Sequence, residues 1–78
     1  MFYVYVLIST SSCRLYKGFC SDLKRRLAEH NAGKTQSTKP FIPWEIAYYE
    51  KFNSFTEAII REKFFKTSAG RKFLKKVL

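Results

Sequence analysis

The chain has little of what stabilises small extracellular domains or zinc modules. Its 78 residues include two cysteines and one histidine. We expect Cys13 and Cys20 to lie on one strand, roughly 23 Å apart, where they cannot form a disulfide. Together with His30 they supply fewer than the roughly four ligands of a structural zinc site. These scarcities favour a cytosolic protein with free thiols.

Long apolar runs are also absent. The stretch 3–8 is too short to cross a membrane and lacks the preceding basic residues of a signal peptide. We therefore expect neither a membrane partner nor a secretion signal. A chain of this length predicts one domain, residues 1–78, whose core depends on eight Phe, five Tyr and Trp44.

Acidic residues are scarce. Six Asp and Glu stand against fifteen Lys and Arg, so the formal net charge is +9. Such an excess attracts polyanions through long-range electrostatics and counterion release, which favours nucleic acid as the partner. The alternative is a solvated basic surface with no specific partner.

The order of hydrophobic patterns predicts a small α/β (α+β) fold. Residues 2–8 and 13–20 are rich in β-branched and aromatic side chains and flank a turn cluster at 9–12, which predicts a β-hairpin. Residues 44–52 predict a third strand. We expect a small three-stranded antiparallel sheet flanked by helices, in the order β-β-α-β-α-α.

Three segments favour helices. Ser21 and Asp22 are N-cap candidates for the first helix, which we expect to stop near Gly33 before a loop over 31–43. The remaining two helices follow the third strand. Ser54 and Glu57 have the spacing of a capping box, which predicts a helix from Ala58 onward to about residue 66. The stretch 68–70 breaks the pattern, and 71–78 form a short basic helix.

The predicted hairpin brings two tyrosines together. A turn centred on 10–11 pairs residues whose numbers add to 21, which places Tyr5 opposite Tyr16 and Tyr3 opposite Gly18. Cross-strand partners share one face with Cβ atoms roughly 5 Å apart, and a strand glycine often marks the close approach of a ligand. The alternative is that both tyrosines are core aromatics with hydroxyls at the rim.

The first helix carries a cation and an imidazole on its apolar stripe. Leu23, Arg26, Leu27 and His30 share one side at about 100° per residue, so Arg26 and His30 face the sheet or lie at its margin. A half-buried arginine is costly unless it is paired or offered an anion. The alternatives are a snorkelling Arg26 and a purely structural His30.

The second helix repeats this pattern with a carboxylate. Glu62 shares a stripe with Phe55, Ala58 and Ile59, so it is either a salt-bridge partner of Arg26 or a metal ligand, since Mg²⁺ is often held by one or two carboxylates with phosphate oxygens and water. We expect five candidate side chains at one face of the sheet: Tyr5, Tyr16, Arg26, His30 and Glu62.

These stretches resemble the GIY-YIG nuclease superfamily, and in particular its short stand-alone bacterial, UPF0213-like members. The resemblance rests on Tyr3-Val4-Tyr5, on Tyr16-Lys17-Gly18 about ten residues later, on the helix 22–31, and on 43–50 followed by Arg61-Glu62. It covers nearly the whole chain. Each triplet alone is a weak signal, whereas both triplets with the spaced Arg, His and Glu form a specific combination.

The resemblance implies an endonuclease that hydrolyses phosphodiesters, more in DNA than in RNA, with one Mg²⁺ or Mn²⁺ ion. By position, Tyr16 matches the general base and Tyr5 a tyrosine that positions water or phosphate. Arg26 matches the residue that stabilises the phosphate, Glu62 matches the metal ligand, and His30 falls beside the site.

The chain departs from the family pattern at several positions. Tyr3 replaces the glycine of the first triplet, Lys17 an aliphatic residue of the second, and Phe19 a lysine of DNA-repair relatives. No asparagine follows Glu62 where larger relatives often have one. These departures bear on the catalytic rate more than on the fold, and without an appended targeting domain we expect low sequence specificity.

Substrate contacts are expected from the glycine, the site arginine and basic residues around them. The expected nucleic-acid-binding residues are Lys17, Gly18, Arg26, Lys34, Lys39, Arg71, Lys72 and Lys75. We expect Lys17, Lys34 and Lys39 on the helix–loop side and a second basic cluster at the C-terminus. The alternative is that this C-terminal cluster is only a solvated helix face. A binding module with little catalysis, a protein-interaction domain and a homodimer remain open.

Overall fold

The computed structural model describes residues 1–78 as a three-stranded antiparallel sheet with three α-helices. The elements are β1 (Phe2–Ser9), β2 (Leu15–Cys20), α1 (Leu23–Asn31), β3 (Trp44–Phe52), α2 (Phe55–Phe65) and α3 (Ser68–Val77). The strand order is β2-β1-β3, so β1 is central and β2 has a free edge. The loop before β3 contains a short 3₁₀ turn at Lys39–Phe41. The predicted fold class and element order are confirmed.

Side-chain caps fix where the helices begin. The Asp22 side chain accepts a hydrogen bond from the backbone N–H of Arg25 at 3.0 Å, and Ser54 does the same for Glu57 at 3.3 Å. Each cap satisfies a backbone donor that has no partner inside the helix. Gly33 follows the end of α1 with φ at +77°, a conformation that favours glycine. The predicted N-caps Asp22 and Ser54 and the stop after α1 are therefore confirmed, although α2 begins at Phe55 and not at Ala58.

The second strand begins later than the sequence pattern indicates. It starts at Leu15, and Cys13 lies in the preceding turn with a φ of 60°. The expectation that Cys13 shares a strand with Cys20 is therefore wrong. Ser9 donates its backbone N–H to the carbonyl of Arg14 at 2.8 Å, which closes a connection longer than the predicted tight turn.

This longer connection changes the register of the hairpin. Tyr5 pairs with Gly18 and Leu7 with Tyr16, so paired numbers add to 23 and the predicted sum of 21 is wrong. Because the slip is two residues and side chains alternate faces with a period of two, the same residues still share a face. Tyr5 and Tyr16 are consequently diagonal neighbours on one surface.

The two surfaces of the sheet carry different helices because the side chains of β1 alternate. Val4 and Val6 pack with α2 and α3 residues in one cluster. Tyr5 and Leu7 pack with Trp44 and with the α1 leucines in the other. We call these the α2 surface and the α1 surface.

The third helix begins three residues earlier than predicted. The stretch 68–70 forms the first turn of α3, with Thr67 as the N-cap. Gly70 is buried, and a Cβ built on it would collide with the backbone carbonyl of Phe64. The glycine therefore allows close approach of α3 to the end of α2 and is not a helix break. No helix in the fold is long and apolar enough to cross a membrane.

The close approach at Gly70 predicts a large effect from a small change. Gly70→Ala should lower the free energy of unfolding by about 1–3 kcal/mol, because the backbone carbonyl of Phe64 must move to admit the methyl group. Urea denaturation followed by circular dichroism measures it. Ser68→Ala, exposed in the same turn, serves as the control and should change stability by less than about 0.5 kcal/mol. Equal stability of the two variants would contradict the assigned role.

Candidate active site on the α1 surface

Tyr5 occupies the space above Gly18. A Cβ on Gly18 would lie 2.7 Å from the Tyr5 hydroxyl and 3.2 Å from the ring of Tyr16. Tyr5 itself is 1% exposed. The missing side chain at Gly18 therefore makes room for the buried phenol of its cross-strand partner.

Tyr16 lies beside this phenol but reaches the surface. Its ring centroid is 6.3 Å from that of Tyr5 and 4.8 Å from that of His30. Tyr16 is half-buried. All buried polar side-chain atoms of the protein have hydrogen-bond partners, and the Tyr16 hydroxyl has none within the chain, so it is open to solvent.

Arg26 projects from α1 onto the same patch. Its Nε donates to the Tyr5 hydroxyl at 3.4 Å, and its Nη1 donates to the Glu29 carboxylate at 3.0 Å. The side chain remains 35% exposed. The alternative pairing of Arg26 with Glu62 is wrong, because Glu29 lies one turn along the same helix and reaches the guanidinium first.

His30 is fully buried and hydrogen-bonded at both ring nitrogens. Its Nε2 is 3.2 Å from the Tyr5 hydroxyl, and its Nδ1 is 2.9 Å from the Thr38 hydroxyl. Thr38 gives its single hydroxyl proton to the carbonyl of Thr35 at 3.2 Å. Because that carbonyl can only accept, we assign the imidazole proton to Nδ1, which then donates to the Thr38 oxygen. Nε2 then accepts from Tyr5, and Tyr5 accepts from Arg26.

Burial sets the protonation states of this chain of groups. Burial raises the pKa of Tyr5 to about 12, although the hydrogen bond from Arg26 opposes the shift. Burial, reinforced by the charge of Arg26, lowers the pKa of His30 below its usual value of 6.5. The hydrogen bond to Tyr5 contributes most to raising the pKa of Arg26. At neutral pH the site therefore holds a protonated phenol, a neutral imidazole and a guanidinium cation.

Glu62 is carried by α2, which packs on the other surface of the sheet. The stripe it shares with Ala58 packs against Val4 and Val6, so the expectation that it faces the α1 surface is wrong. The alternation of side chains along β1 separates α1 from α2. The Glu62 carboxylate accepts a hydrogen bond from Lys66 at 3.3 Å, and the Glu62 side chain is 16% exposed. Helix α2, which carries Glu62, also contacts β2. Tyr5, Tyr16, Arg26 and His30 are thus brought together on the α1 surface, whereas Glu62 belongs to a helix that packs on the α2 surface.

The basic residues divide between the two sides of the molecule. Lys34 and Lys39 are exposed in the loop after α1, as expected. Lys17 is wrongly predicted on that side: it pairs with Val6 and therefore faces the α2 surface. Its pKa is lowered by burial and then by the charges of Arg71 and Lys66, so it belongs to a basic group at this end of the sheet. The exposed cations of α3 include Arg71, Lys72 and Lys75.

The chain is similar to known proteins over most of its length. The sequence pattern of the GIY-YIG catalytic domain matches residues 1–75. The chain belongs to the GIY-YIG family. UPF0213 proteins of Streptococcus pyogenes serotype M5 (strain Manfredo), M2 (strain MGAS10270) and M28 (strain MGAS6180) are each 45% identical to it over 70 residues, which cover 88% of this chain and 75% of the relative. No solved structure gives a significant match.

Membership in the GIY-YIG family confirms the resemblance inferred from the two tyrosine triplets. It supports an endonuclease-type function in general terms, with nucleic acid as the substrate. The match spans both triplets, the helix carrying Arg26 and His30, and the helix carrying Glu62.

Three residues that organise the candidate site carry no functional motif in the sequence. Glu29 orients Arg26, and its i, i+3 spacing was a readable signal. Thr38 sets the tautomer of His30 from within a polar loop that carried no signal. Asn31 binds the backbone N–H and carbonyl of Trp44 at 2.7 and 3.0 Å and so joins the end of α1 to β3.

The tautomer assignment makes Thr38 testable. Thr38→Val keeps the shape but leaves the Nδ1–H of His30 without an acceptor, which should lower the free energy of unfolding by about 1–3 kcal/mol. The ¹⁵N resonances of His30 should lose the pattern of a single Nδ1–H tautomer. Thr38→Ser keeps the oxygen and should retain that pattern. Identical imidazole spectra in Thr38→Val and wild type would refute the hydrogen-bond chain.

Burial of a neutral His30 also predicts a pH dependence. The folded pKa is depressed, so the unfolded chain binds the extra proton first as the pH falls. The stability contributed by His30 should be complete above pH 6.5 and decline as the pH drops from 6.5 towards the folded pKa. Urea unfolding between pH 7.5 and 5.5 measures this slope. Because His30 is the only histidine, a flat profile in that window would contradict the assignment.

Proposed function

We propose that this protein is a metal-dependent endonuclease that hydrolyses phosphodiesters in nucleic acid, with DNA the expected substrate ahead of RNA. The observation that carries the proposal is the convergence of Tyr5, Tyr16, Arg26 and His30 on one patch of the α1 surface. A buried hydrogen-bonded base beside a partly exposed cation suits the positioning and charge stabilisation that phosphoryl transfer requires.

The two tyrosines take different roles in this proposal. Tyr5 gives its proton to His30 and has a pKa of about 12, so it is poorly suited to remove a proton at neutral pH. It acts instead as a fixed hydrogen-bonding group that orients Arg26. Tyr16, whose hydroxyl is open to solvent, is the candidate general base that takes a proton from the attacking water.

Arg26 is the proposed phosphate-stabilising residue. Its Nε is committed to Tyr5 and its Nη1 to Glu29, which fixes the plane of the guanidinium. The remaining N–H groups are free to donate to phosphate oxygens, and the planar fork matches their geometry. The Glu29 carboxylate keeps the side chain oriented before the substrate arrives, and Arg25 shares that carboxylate at 3.3 Å.

Glu62 is the proposed ligand of one Mg²⁺ or Mn²⁺ ion. No group of three or more His, Cys, Asp or Glu side chains is placed to hold a metal, so an ion at Glu62 would need phosphate oxygens and water as its other ligands. Such an ion would supply Lewis-acid stabilisation of the leaving oxygen. The only partner of Glu62 is the exposed Lys66, which can move away.

The free edge of β2 is where these groups would approach one phosphate. Tyr16 and Gly18 lie on this strand. Arg26 donates to Tyr5, the cross-strand partner of Gly18, on the α1 surface, and α2 contacts β2 from the other side. Lys66, the partner of Glu62, acts electrostatically on Lys17 of the same strand. A phosphate at this edge would therefore be reached from both surfaces of the sheet.

Basic residues on both sides would hold the flanking strand. Lys34 and Lys39 extend from the loop after α1, and Arg71, Lys72 and Lys75 extend from α3. Gly18 contributes indirectly, since its lack of a side chain admits Tyr5. Each phosphate neutralised steepens the salt dependence of binding.

A plasmid-nicking assay with Mg²⁺ or Mn²⁺ tests the proposal. Tyr16→Phe and Glu62→Gln should each reduce nicking by about 10²-fold or more while leaving nucleic-acid binding within about twofold. Glu57→Gln, which removes an exposed carboxylate from the same helix, is the matched control and should cut at the wild-type rate. If all four proteins cut equally, the activity belongs to a contaminant or to a different site.

The alternative function is a nucleic-acid-binding module with little or no catalysis. The observation that favours it is that α2, which carries Glu62, packs on the surface of the sheet opposite the tyrosine patch. In that case none of the proteins would nick the plasmid, and all would bind with a steep salt dependence.

A further inference from the structure

A groove on the α1 surface is not used by the proposed chemistry. It has a volume of about 520 Å³ and lies between the start of α1 and strands β1 and β3. Its aromatic walls are Tyr3 and Tyr49, and the lysines along it are Lys24 and Lys51. We call it the Tyr3–Tyr49 groove. Its size falls within the roughly 300–1,000 Å³ of ligand-binding sites.

The groove exists because α1 is too short to cover the sheet. At nine residues, and about 1.5 Å of rise per residue, the helix covers Tyr5 and Leu7 but leaves the end of the surface near Tyr3 open. Tyr49 is 51% exposed there. Its ring centroid lies 6.1 Å from that of Tyr3, with the planes at 59°, so the two rings form an angled aromatic corner open to solvent.

Positive charge flanks this aromatic corner. Lys24 projects from α1 and Lys51 from β3, and both are exposed. The one carboxylate in the lining, Asp22, is already engaged in capping the N–H of Arg25. Aromatic rings bordered by lysines match the alternation of base and phosphate along a nucleic-acid strand.

The groove also connects with the proposed active site. Ser21 and Asp22, at the start of α1, line both this groove and the adjoining cleft that contains Arg26. A strand whose phosphate is bound at Arg26 could therefore pass over the start of α1 and reach the groove within a few nucleotides.

We infer that the Tyr3–Tyr49 groove is a binding site for an unpaired base of a nucleic-acid strand, which stacks on Tyr49 while Lys24 and Lys51 contact the flanking phosphates. This inference deepens the proposed function, on which it rests for the nature of the polymer. A single-stranded segment is the occupant because the faces of its bases are accessible, whereas those in a duplex are covered by their neighbours. The enzyme would accordingly prefer substrates with unpaired nucleotides beside the scissile phosphate.

Binding measured without divalent metal separates this site from catalysis. Fluorescence anisotropy in EDTA compares a labelled 15-nucleotide oligo(dT) with a blunt duplex of the same length. Tyr49→Ala should weaken single-strand binding about tenfold, as the loss of one stacked base predicts. It should change duplex binding by less than twofold. Its salt dependence should match that of wild type, because no charge is removed.

Two control variants make this result specific. Tyr49→Phe keeps the ring and should bind the single strand within twofold of wild type. Ile60→Ala removes a side chain that is 63% exposed on α2, on the other surface of the sheet, and should change neither affinity. Lys51→Ala should lower the single-strand salt slope by about 0.7, the value for one phosphate contact. Thermal melting confirms that each variant is folded.

The outcomes distinguish this inference from the proposed function. If wild type nicks plasmid but Tyr49→Ala binds single strands normally, the base site is refuted and the nuclease proposal stands. If no protein nicks but the single-strand defect of Tyr49→Ala is seen, the base site stands without catalysis. The inference would also be overturned if Tyr49→Ala weakened duplex and single-strand binding equally, or if Tyr49→Phe bound the single strand as weakly as Tyr49→Ala.

Discussion

The buried phenol of Tyr5 is the group on which the organisation of the candidate site depends. Its hydroxyl gives a proton to His30 and accepts one from Arg26, and it fits only because Gly18 opposite has no side chain. A hydroxyl buried to this degree would be costly without both partners. The strand pairing, the helix position and the protonation states around the site are therefore linked through one atom.

The two half-buried arginines of the fold, Arg26 and Arg61, differ in how many of their N–H groups remain free to bind an anion. Arg61, on the α2 surface, is paired twice with Glu50, at 2.7 and 3.0 Å, and lies over the rings of Phe64 and Phe65. The Glu50 carboxylate therefore neutralises the charge of Arg61. Arg26 shares its carboxylate with Arg25 and spends one N–H on a neutral phenol, so its remaining donors stay open to an incoming anion.

Much of the architecture could be predicted from the sequence because local chemistry dictated it. Asp22 and Ser54 mark helix starts through hydrogen bonds made within three residues, and the strands carry β-branched and aromatic runs. The hairpin register could not be predicted, since it depends on a turn closed by backbone groups of Ser9 and Arg14. The start of α3 was missed because the need for Gly70 arises from contact with the end of α2 and not from its own helix.

The candidate site could also be predicted in part from the sequence. Helical spacing correctly placed Arg26 and His30 towards the sheet, and the face shared by Tyr5 and Tyr16 survived a register error of two residues. Glu62 was placed on the wrong surface because an amphipathic stripe shows that a helix packs on a sheet but not on which side. The surface on which each helix packs is determined by which of the alternating β1 side chains it contacts.

The free edge of β2 has a consequence for self-association. An unpaired outer strand can recruit an identical strand from another molecule and begin a continuous intermolecular sheet. Here that strand is six residues long. It carries Lys17, which is repelled by the like charges of Arg71 and Lys66. Two copies meeting at this edge would bring like charges together, whereas a polyanion would neutralise them. The same local field thus disfavours edge-to-edge polymerisation and leaves the edge available to a chain of phosphates.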